Sequence, residues 1–141
     1  MNALNGLNIE KASMVWMITL HEEFVKSFLD GTKSIELRTR VPKALKSGDV
    51  IIAAQSGSHN RVVLQMTVES VVKMNPIGMF AMYCRDIQLD YLTFKNYTDG
   101  HDWVYGIKVC NVKALKDGLL TSDFGIAKAP QWFTLVYIVS Q

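Results

Sequence analysis

The stretch Leu29-Asp30-Gly31-Thr32-Lys33-Ser34-Ile35-Glu36-Leu37-Arg38 joins a predicted helix to a predicted strand. Residues 22–30 carry apolar side chains at helical spacing after two acids in the first turn, and Gly31 stands where a left-handed C-cap would end the helix. Residues 14–20 form a short run rich in β-formers, which predicts a strand just before this helix. The domain therefore begins with a strand–helix–strand unit.

The strand after the helix has one apolar and one charged side. Residues 34–40 alternate, with Ile35 and Leu37 on one side and Glu36 and Arg38 on the other. Since successive side chains of a strand point to opposite faces, the apolar pair is expected in the core and the charged pair on the other face.

The rest of the chain continues as strands with one helical interruption. We predict strands at residues 50–54, 62–74, 103–114 and 133–139, the second of them bent, and one or two short helices within residues 77–96. The expected fold is α+β: a small, curled, mixed β-barrel of about six strands, with a helix after the first strand and a helical insertion before the fifth.

Length and composition agree with a single globular domain. The chain has 141 residues, 49% of them hydrophobic and 20% charged, which excludes disordered and collagen-like classes. Residues 1–12 are polar and Asn-rich and are predicted to form a flexible arm, so that the domain spans residues 13–141.

Several functional classes are disfavoured by motifs that the sequence lacks. No apolar run reaches the ~20 residues of a membrane helix, and residues 1–11 do not resemble a signal peptide. Cys84 and Cys110 are too few and too far apart for a disulfide scaffold or a metal site, so we expect buried, reduced thiols in a cytoplasmic protein. Without a Gly-rich phosphate loop, a nucleophile elbow or metal-ligand spacing, we predict neither a metal nor a cofactor.

A cluster of basic residues surrounds the charged strand. It contains five of the 15 basic side chains against one acid, Glu36, and consists of Lys33, Arg38, Arg40, Lys43 and Lys46. Such a cluster is either a solvated face or a surface for phosphate or another anion.

Three members of this region, which we call the charged triad, are expected to converge: Lys33, Glu36 and Arg38. Glu36 would orient the Arg38 guanidinium toward a planar ligand such as a base edge or a phosphate. Lys33, if shielded from water, could serve as a base or nucleophile with a depressed pKa. The alternative is purely structural: a salt bridge of Glu36 and Arg38 across neighbouring strands, with Lys33 solvated.

The same residues resemble the signature of the ASCH family, a branch of the PUA-like barrels, which reads Gly-x-Lys-x-x-Glu-x-Arg. Gly31, Lys33, Glu36 and Arg38 match it. Further matches follow in the same order along the chain: the Ser47-Gly48-Asp49 turn, the bent strand at residues 68–76, the strand at residues 103–112 and the closing element Ala129-Pro130-Gln131-Trp132-Phe133.

This resemblance implies a cleft beside the barrel that binds RNA or a modified base, with the charged triad in its lining. Some ASCH relatives are amidohydrolases that deacylate N4-acetylcytidine with a Lys, a Thr three residues later and a Glu from a later strand. Lys33 matches the Lys, but Glu36 occupies the Thr position, and Glu69 is the candidate for the distant Glu. Other relatives act as ribonucleases, so RNA cleavage is a second enzymatic alternative.

Other candidate contacts lie in loops. The polar loop at residues 55–61 has the composition of a base- or phosphate-binding loop but also of any hairpin loop, and Ser56 and His59 are its candidates. Trp132 in the closing element is a candidate for ligand contact. His21 could cap the first helix or face the cleft, and we expect the capping role. Tyr97, Trp103 and Tyr105 flank a polar loop at residues 99–102 and could stack on a base, but Trp103, like Trp16, is expected in the core.

The sequence thus predicts an RNA- or nucleotide-binding ASCH domain. Its candidate ligand contacts are Lys33, Glu36, Arg38, Arg40, Lys43, Lys46, Ser56, His59 and Trp132. The alternatives are a small hydrolase using Lys33, Glu36 and Glu69, or a protein-interaction module whose partner covers the apolar surface of residues 77–91. Nothing in the sequence predicts an oligomeric state or a membrane partner.

Overall fold

The computed structural model describes residues 14–136 of the chain. The predicted arm at residues 1–12 and the end of the predicted last strand, residues 137–139, lie outside this range. The described residues form β1 (Val15–Leu20), α1 (Glu22–Asp30), β2 (Ile35–Arg38), β3 (Val50–Gln55), β4 (Val62–Met74), α2 (Pro76–Ile87), α3 (Tyr91–Thr98), β5 (Val104–Ala114), a 3-10 turn (Thr121–Phe124) and β6 (Thr134–Leu135).

The six strands form one mixed sheet in the order β2-β5-β4-β3-β1-β6. Strands β1 and β3 pair in parallel, and the other neighbours pair antiparallel. Strand β4 contains register shifts at Gln65/Thr67 and Val68/Ser70, irregularities of the kind that bend a strand. The α+β class, the helix after β1 and the helical insertion before β5 are confirmed.

The sheet curls but does not close into a barrel among the described residues. Strands β2 and β6 end the strand order at opposite sides and are not paired with each other. Their ends nevertheless approach, because the Arg38 guanidinium at the end of β2 lies 5.3 Å from the ring centroid of Phe133, just before β6. A side-chain contact therefore bridges the gap that a closed barrel would fill with backbone hydrogen bonds.

Helix α1 covers the inside of this curl. Its Val25 and Phe28 are buried in a cluster with alternate residues of β1, including Trp16 and Ile18. Gly31 adopts the predicted left-handed C-cap at φ 83°, and the next turn brings the Lys33 amide to within 3.0 Å of the Ser27 carbonyl. The cap thus reverses the chain so that β2 starts beside the helix that precedes it.

The predicted helical insertion consists of two helices. Asn75 caps α2 by accepting from the Gly78 amide, and Asp90 caps α3 by accepting from the Thr93 amide. Both helices pack on Ile35 and Leu37 of β2 in a second apolar cluster. The predicted apolar side of β2 is therefore the side that the insertion covers.

Candidate functional site

A cleft opens where β1 ends, between α1, β2 and α3. Its volume is about 420 Å³. The cleft is lined by Thr19, Leu20, His21, Glu23, Phe24, Lys33, Glu36, Leu37, Arg38, Leu89, Thr93 and Tyr97. All three members of the charged triad therefore reach one cavity, as the alternation along β2 and the position of the first helix suggested.

Lys33 is the most buried member of the triad, with 3% of its surface exposed. Its ammonium donates a hydrogen bond to the Ile87 carbonyl in the last turn of α2. It also lies over two α1 rings, 4.9 Å from the centroid of Phe24 and 5.4 Å from that of Phe28. This arrangement contradicts the structural alternative in which Lys33 is solvated.

The contact with Ile87 depends on a link between α2 and the start of β2. The Ser34 amide donates to the Asp86 carbonyl at 2.9 Å, and the Ser34 hydroxyl donates to the Asp86 carboxylate at 3.2 Å. Helix C-termini present unpaired carbonyls and partial negative charge, so the end of α2 is a favourable partner for an ammonium. The insertion thus supplies the hydrogen-bond acceptor of the Lys33 ammonium.

Burial lowers the pKa of the Lys33 ammonium below the ordinary lysine value, and the negative charge of Glu36 opposes this shift only in part. The fraction of neutral amine is therefore raised at a position that faces the cleft. A neutral amine is the form that can accept a proton or attack a carbonyl.

Glu36 and Arg38 form an ion pair on the same strand, not across neighbouring strands. The Arg38 Nε donates to the Glu36 Oε2 at 2.7 Å, and the exposed fractions of the two side chains are 18% and 8%. Among residues 14–136, the guanidinium donates a hydrogen bond through Nε, and its two terminal amino groups have no hydrogen-bond partner in that range.

Four further polar side chains line the cleft: Glu23, Thr93, Tyr97 and His21, for which the sequence left open a place facing the cleft. His21 occupies the N-cap position of α1 but makes no side-chain capping hydrogen bond, so the expected capping role is wrong. Thr93 and Tyr97 are four residues apart and therefore share one face of α3. The spacing of Thr93 and Tyr97 is visible in the sequence, but which face of α3 lies against the cleft depends on how the insertion packs.

The closing element lies along one side of the cleft. The Thr19 hydroxyl donates to the Pro130 carbonyl at 2.7 Å, and Thr19 itself lines the cleft. Trp132, a predicted contact, does not line the cavity but lies next to it, with the Arg40 guanidinium 5.1 Å from its ring centroid. It is 41% exposed.

The remaining predicted residues lie outside the cleft lining. Lys43 and Lys46 are exposed in the connection after β2, as is Arg40, and we call these three residues the basic run. Ser56 and His59 are exposed in the loop after β3, where the Ser56 amide donates to the carbonyl of Leu20.

Glu69, the proposed distant acid, is exposed at the second register shift of β4. It borders a smaller hollow with Tyr83, Asp86 and Lys108. The charged triad and Glu69 are therefore not brought into one cavity.

The two tryptophans predicted for the core, Trp16 and Trp103, differ in burial. Trp16 is buried, and its indole N–H donates to the Asp49 carboxylate at 3.0 Å. The prediction for Trp103 is wrong, because its side chain is 52% exposed. The Lys73 ammonium lies 5.2 Å from the centroid of its ring. Cys84 and Cys110 are free thiols, but they are half-buried, not buried as predicted.

The apolar surface predicted for a protein partner, at residues 77–91, is exposed in part. Helices α2 and α3 expose the apolar side chains Ile77, Met82, Tyr91 and Leu92. Among residues 14–136, no group of three or more His, Cys, Asp or Glu side chains is arranged to hold a metal ion. No helix in the same range is long and apolar enough to span a membrane.

A curled mixed sheet with a helix after its first strand and a charged cleft at the end of that strand is a PUA-like architecture. The ASCH domain family model matches residues 18–116, which is most of the chain. The protein therefore belongs to the ASCH domain family, whose PUA-like fold is associated with RNA binding.

Solved structures agree with this fold. The ASCH protein of Zymomonas mobilis matches with a TM-score of 0.78 and 19% identity, covering 88% of each chain. A point mutant of that protein gives a TM-score of 0.79 at 18% identity, covering 88% of this chain and 89% of the mutant's. The hypothetical protein PH0355 has a TM-score of 0.53 at 19% identity, covering 72% of this chain and 100% of its own. No protein with a curated description matches the chain.

Proposed function

We propose that the protein binds RNA through an unpaired nucleoside that enters the cleft. The observation that carries this proposal is the Glu36–Arg38 ion pair, held at 2.7 Å in the cleft wall with both side chains largely buried. An arginine oriented by a carboxylate presents its terminal amino groups as a planar fork, the geometry that reads a base edge or a phosphate.

The size and chemistry of the cleft support a nucleoside as the occupant. Its volume of about 420 Å³ lies near the lower end of the roughly 300–1,000 Å³ typical of small-molecule sites. Phe24 and Tyr97 offer aromatic surface in the wall, and Thr93 and His21 add polar groups. Unpaired bases are recognised by this combination of aromatic contact and edge hydrogen bonds.

The basic run supplies a second, less specific contribution. Arg40, Lys43 and Lys46 are exposed in the segment that follows Arg38, so they extend the positive charge away from the cleft. Exposed cations that neutralise phosphates displace the counterions held by the RNA, and they attract any sequence of RNA equally. In this proposal the triad reads the nucleoside and the basic run holds the backbone.

Fluorescence anisotropy with a labelled, mixed-sequence, single-stranded RNA tests the proposal. Arg38→Gln should raise the dissociation constant about tenfold or more, because one good bidentate contact contributes ~1–3 kcal/mol. Arg85→Gln is the matched control, since Arg85 is an exposed arginine on α2 outside the cleft lining. Equal affinities of the two variants would reject the cleft as the RNA site, and circular dichroism checks that both fold.

A hydrolase is the second candidate, and the environment of Lys33 favours it. Its ammonium is buried in the cleft wall, and burial lowers its pKa. A neutral Lys33 amine could take a proton from a water that attacks an acyl carbonyl, or attack that carbonyl itself. The position of Glu69 outside the cleft argues that this acid does not take part.

The hydrolase candidate is tested by incubating the protein with N4-acetylcytidine and, separately, with a small RNA pool, and following all species by mass spectrometry. Cytidine and acetate, or shortened RNA, should form with the wild type and with Lys26→Ala but not with Lys33→Ala. Lys26 is an exposed lysine of α1 outside the cleft lining and serves as the control. If both substrates remain unchanged, the hydrolase candidate is rejected and RNA binding remains the proposed function.

A further inference from the structure

Two adjoining cation–aromatic contacts lie beside the cleft. The Arg38 guanidinium lies 5.3 Å from the Phe133 ring centroid, and the Arg40 guanidinium lies 5.1 Å from that of Trp132. The two rings contact each other edge to face, with centroids 5.2 Å apart and planes at 78°. A continuous series of contacts therefore leads from the charged triad to Trp132.

The two contacts differ in exposure. Phe133 is buried at 4%, and its partner Arg38 lines the cleft. Trp132 is 41% exposed, and Arg40 is exposed as well. The inner pair thus belongs to the cleft wall, whereas the outer pair forms an exposed surface of aromatic ring and cation immediately outside it. Such a surface suits a base, because every base has a π-face that stacks on an aromatic ring or a guanidinium plane.

We infer that the Trp132–Arg40 pair is a second base-stacking position and that the ligand is a single strand of at least two nucleotides, not a free nucleoside or mononucleotide. This inference rests on the proposed function. The cleft, at about 420 Å³, has room for one nucleoside. A neighbouring nucleotide must then lie outside, and on the Arg38 side the first stacking surface it meets is Trp132 with Arg40.

The chain contains a matched control for this pair. Trp103 is 52% exposed and carries Lys73 at 5.2 Å from its ring centroid, so it is an exposed tryptophan with a cation over its face. Neither Trp103 nor Lys73 lines the cleft. If an exposed tryptophan paired with a cation were enough to bind RNA, the two sites would respond alike to substitution.

The experiment compares two ligands and two variants by isothermal titration. The ligands are a mixed-sequence hexaribonucleotide and an equimolar mixture of the four nucleoside 5′-monophosphates. Trp132→Leu should weaken hexanucleotide binding by about 5- to 150-fold, the loss of one stacked base, and change monophosphate binding by less than about twofold. Trp103→Leu should change either affinity by less than about twofold.

If Trp132→Leu leaves hexanucleotide affinity unchanged while the wild type binds it, the second position is wrong and the cleft proposal stands. An equal loss for hexanucleotide and monophosphates would also overturn the second position. If the wild type binds neither ligand, the proposed function fails and the inference fails with it.

A second measurement guards against a folding defect in Trp132→Leu. In a Trp103→Phe protein, the remaining tryptophans are Trp132 and Trp16, and Trp16 is 5% exposed. The hexanucleotide should quench the fluorescence of Trp132, and the monophosphates should leave it unchanged. Equal quenching by both ligands, or none by the hexanucleotide, would overturn the inference.

Discussion

The charged triad and the basic run follow each other along the chain, yet the fold treats their charges in opposite ways. Lys33 and Glu36 are 3% and 6% exposed, whereas Lys43 and Lys46 are exposed. A buried charge is stable only with partners, so each triad side chain has a defined position set by a carbonyl, a ring or a counter-ion. An exposed charge is solvated and needs no partner. Burial therefore fixes the position of a charged side chain, and a fixed position is what recognition of a base edge requires.

The largest expected effect comes from breaking the buried side of this comparison. Glu36→Gln removes the anion that pairs with Arg38 and leaves Lys33 and Arg38, two largely buried cations, without a neighbouring carboxylate. We expect the free energy of unfolding to fall by ~2 kcal/mol, less than for a fully buried pair because Arg38 retains some solvent contact. Urea unfolding measures this change. Glu69→Gln, at an exposed position on β4, should alter it by less than ~0.5 kcal/mol; similar losses in the two variants would contradict the special status of the triad.

Conservative exchanges sharpen the contrast between geometry and charge. Arg38→Lys keeps the positive charge but removes the planar fork, so we expect RNA affinity to fall about tenfold. Lys43→Arg makes the reverse exchange at an exposed position and should leave affinity nearly unchanged. Anisotropy with one labelled RNA measures both. An equal loss of affinity in the two variants would contradict a role for the planar geometry of Arg38.

The pH dependence of stability tests the burial of Lys33 directly. Its pKa in the folded protein lies below the ordinary lysine value, so between the two values the unfolded chain binds a proton that the folded protein does not. The free energy of unfolding should therefore rise with pH through this alkaline window. Lys33→Met, which keeps the aliphatic length, should remove that rise in urea unfolding series at increasing pH. A rise of the same size in the variant would assign it to other groups.

The smallest effect is expected on the exposed side. Lys43→Ala removes one phosphate contact, so affinity should fall only a few-fold and by the same factor for every RNA sequence. The slope of log affinity against log salt should become shallower by ~0.7. Titrations at several salt concentrations measure both quantities. A loss confined to one RNA sequence, or an unchanged slope, would place Lys43 outside the nucleic-acid contact.

Much of the fold was predictable because local patterns specify local structure. The alternation of residues 34–40 and the Gly31 cap placed α1 and β2 correctly, and the same alternation put Glu36 and Arg38 on one face. Alternation does not say what covers a face. Trp16 and Trp103 were both expected in the core. Trp16 is buried because β1 packs against α1, whereas Trp103 precedes β5 and is exposed, with the Lys73 ammonium over its ring.

The site was predictable where its residues are neighbours in sequence and not where they come from distant elements. Lys33, Glu36 and Arg38 were found by spacing, whereas the Ile87 carbonyl that holds Lys33 is 54 positions away. Tyr97 and Thr93 reach the cleft from α3, whose packing no local pattern encodes. Glu69 was proposed as the distant acid because it lies on β4, but it is exposed at a register shift of that strand and borders a different hollow.

The sequence by itself determined the element order, the ASCH signature and the identity of the charged triad, because helix caps, turns and strand alternation act over a few residues. Tertiary structure alone decided that Lys33 is buried with a lowered pKa, that Glu69 lies apart from it, and that Trp132 stands exposed beside Arg40. The physical reason is that burial, and with it the strength of every charge in the cleft, is set by which distant elements exclude water from a residue.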